Sequence, residues 1–144
     1  MSATEEQNGL PSELQQELER SLYDRADRIH PDDERLVDER LEKKIQSLLS
    51  GSAVVSQKLR VLIQRVQLLY SLLKDPDFSL RWTTKALILA ALVYFINPFD
   101  MVPDVLPLIG YVDDAFVIGL VINSLNEEIR RYAEFRGIPL EVAA

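Results

Sequence analysis

The chain has 144 residues, of which 47% are hydrophobic, with seven prolines, five glycines and no cysteine, enough for one ordinary globular core and too little for two domains. Lack of cysteine excludes a disulfide framework, a thiolate zinc site, iron–sulfur ligation and a cysteine nucleophile. With His30 the sole histidine, a histidine-rich metal site is excluded too, and the net charge of −7 argues against a nucleic-acid partner.

The charge is divided into opposing blocks. Residues 1–50 sum to −6, residues 51–85 to +4, residues 86–126 to −4 and residues 127–144 to −1. The third block contains no base, and its only charges are Asp100, Asp104, Asp113 and Asp114. The first nineteen residues hold no Lys or Arg and no apolar run, so a secretory signal or transit peptide is not supported. The expected location is the cytoplasm or the cytoplasmic side of the inner membrane.

In chain order, residues 1–11 lack apolar periodicity and are expected to be a disordered N-terminus. Ser12 with Gln15 three residues on forms a capping-box pattern, and Leu14, Leu18, Leu22, Ala26 and Ile29 draw one stripe, which predicts a helix over about 12–29. After Pro31, Asp32 is a candidate cap for a second amphipathic helix striped by Val37, Leu41, Ile45 and Leu48 and ended by Ser50-Gly51-Ser52. Residues 12–50 therefore read as an acidic two-helix arm, peripheral to the core.

Val55, Leu59, Leu62, Val66, Leu69 and Leu73 alternate at spacings of four and three, the seam of a coiled coil or bundle helix over about 53–74. Asp75-Pro76-Asp77 stops it. A fourth helix, capped by Asp77 or Ser79, passes through Trp82 and Lys85 into Ala86–Ile96, eleven residues apolar on every side, and ends at Asn97-Pro98. Three prolines, Pro98, Pro103 and Pro107, forbid a continuous helix in the turn that follows. Asp113 or Asp114 then caps a final helix through Ile122, Leu125, Ile129 and Tyr132, closed by Gly137 and Pro139, with 138–144 as a tail. The predicted fold is all-α: a small helical bundle with an apolar helix-turn-helix hairpin, about 80–97 and 113–135, and the acidic N-terminal arm.

A membrane-spanning helix needs about 20 mainly apolar residues. The uninterrupted runs here are eleven, Ala86–Ile96, and eight, Ala115–Ile122. These lengths fit a hairpin buried in a bundle or lying partly in the membrane interface better than two spans.

The stretch from Ala91 to Ile118 closely resembles the signature of the YkvA-like family, a bacterial domain of unknown function. A helix ends in Pro98-x-Asp100-x-x-Pro103-Asp104, an apolar turn carries Pro107, and Gly110-x-x-Asp113-Asp114 opens the next helix. The resemblance assigns residues 53–137 to the family's domain and Pro98, Pro103, Pro107 and Gly110 to its structural motif. It implies membrane association and brings no established reaction with it.

Four carboxylates within fifteen residues, Asp100, Asp104, Asp113 and Asp114, are candidate ligands for a divalent cation, since hard cations take several carboxylate oxygens. The competing readings are helix and turn caps or ion pairs with Arg60, Arg65, Arg81 and Lys85. No phosphate-binding glycine loop or nucleophile elbow accompanies them, and His30 reads as a surface histidine, so no catalytic residue is assigned. Lys58, Arg60, Arg65, Arg81 and Lys85 are either a solvated face or contacts to anionic lipid, and Trp82 and Tyr94 have the placement of an interfacial belt.

Three functional expectations follow. The leading one is a noncatalytic protein, membrane-associated or partner-binding, that docks on lipid or on another helical protein through the apolar hairpin, with no cofactor. A second is a divalent-cation-dependent enzyme or metal-binding module using the four aspartates. The third is a soluble homo-oligomer sealed by the Val55–Leu73 seam.

Overall fold

A computed structural model describes residues 11–51, 56–97 and 112–139, with side chains from Ala115 onward in the last segment. The described residues form six helices and no strand: α1 Ser12–Asp27, α2 Asp32–Ser50, α3 Gln57–Lys74, α4 Trp82–Ile96, α5 Val112–Ser124 and α6 Asn126–Arg136. The architecture is the all-α bundle that the periodicities predict.

The helix starts differ in detail from the expected caps. Ser12 is already helical, and Pro11 precedes it without a side-chain cap. At α2 the capping box is built two residues before Asp32. His30 Nδ1 accepts from the Asp32 backbone N–H at 3.1 Å, while the His30 N–H donates to Asp33 Oδ2 at 2.9 Å, which satisfies two exposed amides reciprocally. The lone histidine is thus a helix cap on the surface. Ser56 caps α3, its Oγ accepting from Leu59 N–H at 3.1 Å. Arg81, rather than Asp77 or Ser79, is the residue before α4, and it offers no side-chain cap. α5 is described from Val112, so Asp113 and Asp114 lie in its first turn, and whether either side chain caps it lies outside the described residues.

The last helix is divided. Leu125 sits at φ −106°, ψ 27°, outside helical geometry, yet the hydrogen bonds Leu125 N–H to Val121 O and Ile129 N–H to Leu125 O, both 2.9 Å, bracket the break. Exposed Asn123 and Ser124, weak helix formers, precede it. The bend lets α6 swing its Tyr132 onto the end of α3. Gly137, at φ +70°, closes α6, and Ile138 N–H returns to Ala133 O at 2.8 Å, as a left-handed glycine cap does.

α4 is the axis of the bundle. Helices α1, α2, α3 and α5 all pack against it, and all four supply buried residues to one core. This corrects the expected arm: α1 and α2 are walls of the core and lie against α4 more extensively than α3 or α5 does. Leu18, Leu22 and Val37 are fully buried, with Leu41 and Ile45 nearly so. Their helices are mostly polar by composition, but one stripe per helix is all that a wall position requires. The α3 seam is likewise consumed within the chain, with Leu59, Leu62, Val66, Leu69 and Leu73 buried in the same core; Val55 lies outside the described residues.

Candidate functional site

The hairpin singled out by composition is α4 and α5. From Ala86 to Phe95 no side chain is more than 9% exposed, because a helix without a polar face has no side it can turn to water. In α5, Val117, Ile118, Val121 and Ile122 are buried, and Ala115, Phe116 and Leu120 pack partly against the core. Tyr94, expected as an interfacial residue, is 2% exposed and belongs to the core, whereas Trp82 stands 47% exposed at the start of α4.

The two sides of this core are held by different polar devices. On the α3–α6 side, Asp75 ends α3 and receives a two-pronged contact from Arg136, Nε to Oδ2 and Nη2 to Oδ1, each 2.6 Å. Tyr132 Oη donates to Asp75 Oδ2 at 2.9 Å, and the Asp77 N–H donates to Oδ1 at 2.9 Å. The Asp75 side chain is only 5% exposed. The Arg136 guanidinium, with the Asp77 amide and the Tyr132 hydroxyl behind it, holds the Asp75 carboxyl far below the usual carboxylate range against the opposing effect of burial. Phe78 packs edge-on to Tyr132 at 5.0 Å and against Phe135 at 5.6 Å, and the Arg136 guanidinium lies 4.8 Å from the Phe135 ring centre. Bidentate geometry and Tyr132 shield the carboxylate of this lock, while Arg136 is 40% exposed.

On the α2–α3 side the device is open to water. Lys74 Nζ bonds Glu34 Oε2 at 2.7 Å and Asp38 Oδ2 at 3.0 Å, and Tyr70 Oη donates to Asp38 Oδ1 at 2.7 Å. The three charged side chains are 28–38% exposed. Burial pushes the Asp38 carboxyl up, but the Tyr70 and Lys74 hydrogen bonds outweigh it and the net shift is down. The bond to Glu34, more than that to Asp38, raises the Lys74 ammonium. Beside this clasp a groove of about 370 Å³ runs between α2 and α3 over Leu41, Ile45 and Gln67. Its rim carboxylates are already engaged, Asp38 as above and Glu42 by Gln46 Nε2 at 2.8 Å.

The candidate residues are distributed as follows. Asp100, Asp104, Pro98, Pro103, Pro107 and Gly110 lie outside the described residues, as do the side chains of Asp113 and Asp114, so the cation set falls there too. Among the described residues, no three acidic or histidine side chains are grouped to hold a metal ion. The five bases are not one patch. Lys58 and Arg60 are exposed at the start of α3 and Arg65 is half-buried further along, while exposed Arg81 and half-buried Lys85 lie past the far end of α3, at the start of α4. Sequence reasoning missed both polar devices; the Asp75-Pro76-Asp77 stop was the one local signal, and it read only as a helix terminator. Among the described residues, no helix is long and apolar enough to cross a membrane.

Comparison with known proteins bears on this hairpin directly. The model of a family described as a protein of unknown function (DUF1232) matches residues 84–120, which take in most of α4, the connection and the first part of α5. An uncharacterized membrane protein of Bacillus subtilis (strain 168), YkvA, is 34% identical over 92 residues, covering 60% of this chain and 86% of the relative. No solved structure matches the chain.

Proposed function

The chain belongs to the YkvA-like family of unknown function, and from that premise we propose that it is a noncatalytic, membrane-associated protein whose apolar hairpin is the part that meets lipid. The observation that carries this is α4: it lies in the family-matched segment and has no polar side along its ten residues from Ala86 to Phe95. A helix of this kind requires apolar surroundings on every side, from protein or from hydrocarbon. Support also comes from the relative, named as a membrane protein.

At fifteen residues, α4 rises about 22 Å, less than the ~30 Å hydrocarbon core. The association is therefore interfacial or re-entrant rather than a simple span. Arg81 and Lys85, at the start of α4, supply the contact to anionic headgroups on the cytoplasmic face, each worth ~1 kcal/mol near the surface. The named polar groups are spent on architecture: His30 caps a helix, Glu34 and Asp38 hold Lys74, and Asp75 holds Arg136.

Flotation of the full-length chain with vesicles tests the reading. Binding to vesicles containing anionic lipid, weakened for Arg81→Glu with Lys85→Glu, is the expected result. A chain that stays at the bottom of the gradient with both anionic and neutral vesicles, and in the soluble fraction of cells, refutes it.

A further inference from the structure

The membrane reading leaves the hairpin in an awkward position, since its lipid-compatible surface is already covered by the chain's own helices. The cover is unequal on its two sides. The Asp75–Arg136 lock ties the end of α3 to α6, with the Asp75 carboxylate 5% exposed beneath Tyr132 and Phe78 although Arg136 itself is 40% exposed, and α3 and α6 each pack on α5. Helices α1 and α2 lie over α4, yet among the described residues neither has more than slight contact with the other, and α2 has no more than that with α3. Their polar ties to the rest of the bundle are exposed: Lys74 to Glu34 and Asp38, Tyr70 to Asp38, and Tyr23 Oη to Ser124 Oγ at 3.0 Å. Such contacts are reached by water and salt and hold weakly.

We infer that the α1–α2 pair is an intramolecular cover over the lipid-binding face of the α4–α5 hairpin, with the Lys74–Glu34–Asp38–Tyr70 clasp as its latch. The inference rests on the membrane reading above. On opening, α4 exchanges an apolar protein wall for hydrocarbon and keeps its surroundings apolar. What opening exposes is the single stripe of the cover, Leu18, Leu22, Val37, Leu41 and Ile45. The pair carries eleven acidic residues against seven basic ones between Ser12 and Ser50, so an anionic leaflet repels the cover while it attracts Arg81 and Lys85. The same surface thus binds one part of the molecule and pushes the other aside.

The chain has no cysteine, so a Tyr23→Cys, Ser124→Cys variant of the full-length protein takes two spin labels, one on α1 and one at the end of α5. In solution the labels are close, and far-ultraviolet circular dichroism matches the wild type. On anionic vesicles their separation lengthens, and hydrogen exchange of the α1–α2 amides in the unmodified protein quickens. Lys74→Met, which opens the latch, floats at roughly threefold to fivefold lower lipid concentration, the factor by which an exposed ion pair shifts an equilibrium. Protein that floats with its labels still close and its α1–α2 exchange unchanged overturns the cover and leaves the membrane reading standing. Lys74→Met floating at the wild-type lipid concentration removes the clasp as latch. Wild-type protein that does not float at all overturns both.

Discussion

Leu22→Ala distinguishes a helix that shares the core from an arm that adjoins it. Leu22 is fully buried on the α1 stripe, so truncation removes its packed carbons and leaves a cavity that α1, α4 and α5 close only in part. Losses for buried leucines run from about 2 to 5 kcal/mol. A value of ~3 kcal/mol suits a wall helix, which relaxes more easily than the axis. Set against a total stability of roughly 5–15 kcal/mol, that is a large fraction, and it lowers the melting temperature by about 10 °C in a domain of this size. The assay is urea and thermal unfolding followed by circular dichroism and by the fluorescence of Trp82, the sole tryptophan, which sits on α4 rather than on the mutated helix. Both signals should move together, because one core gives one transition. Tyr23→Ala, at the adjacent and 42% exposed position, should shift stability by no more than about 0.5 kcal/mol. If Leu22→Ala leaves the Trp82 transition where it was and only an early dichroism phase changes, α1 is outside the cooperative unit and the placement of the cover against α4 is wrong.

The ionisable groups give two pH limits of known sign. The folded-state pKa of Asp75 is depressed, so its stabilisation is complete above the unfolded value of about 3.9 and is lost as pH falls below it; Asp38 acts in the same direction. The urea midpoint of the wild type should therefore drop below about pH 4, and Asp75→Asn should lower the midpoint at neutral pH while flattening that acid limb. At the other limit, the Lys74 ammonium is raised mainly by its bond to Glu34, and the Tyr70 and Tyr132 hydroxyls are raised by burial and by their carboxylate partners. Groups shifted upward stabilise fully below their unfolded values near 10 and lose that contribution as pH rises further. Unfolding midpoints above about pH 10 should fall, and less steeply in Tyr70→Phe. Two glycines should respond in opposite ways in thermal melts. Gly137, at φ +70°, loses about 1–2 kcal/mol on change to alanine. Gly119, inside α5 with open space around an added Cβ, gains about 0.5–1 kcal/mol.

Much of the fold is legible in apolar spacing. The stripes of Leu18 and Leu22, of Val37, Leu41 and Ile45, and of Leu59 through Leu73 each face the core as their periods require. The bend at Leu125 was hidden because Ile122, Leu125, Ile129 and Tyr132 keep helical spacing across it, and only Asn123-Ser124 hinted at a weak point. The bond from Arg136 to Asp75 joins positions 61 residues apart, and no local pattern encodes such a pair. Classing α1 and α2 as an arm was an error of weighting: abundant charge fixes what the outer face of a helix does and says nothing against a narrow inner face. The aspartate question belongs to the connection and to the start of α5, where the described side chains do not reach.

α4 itself carries the least directional information in the chain. A helix with an apolar stripe declares which side is covered; one that is apolar throughout declares only that every side is. Which substance does the covering is written in its neighbours. Helices α1, α2, α3 and α5 present apolar surface inward, and together they close α4 in. That closure makes the bundle complete without lipid, and it also means that no wall can leave α4 unless another apolar phase takes its place. On the proposed reading, membrane association through this hairpin and displacement of a wall are therefore one event, and the wall proposed to move is α1–α2, whose tie to α3 buries no carboxylate as deeply as Asp75.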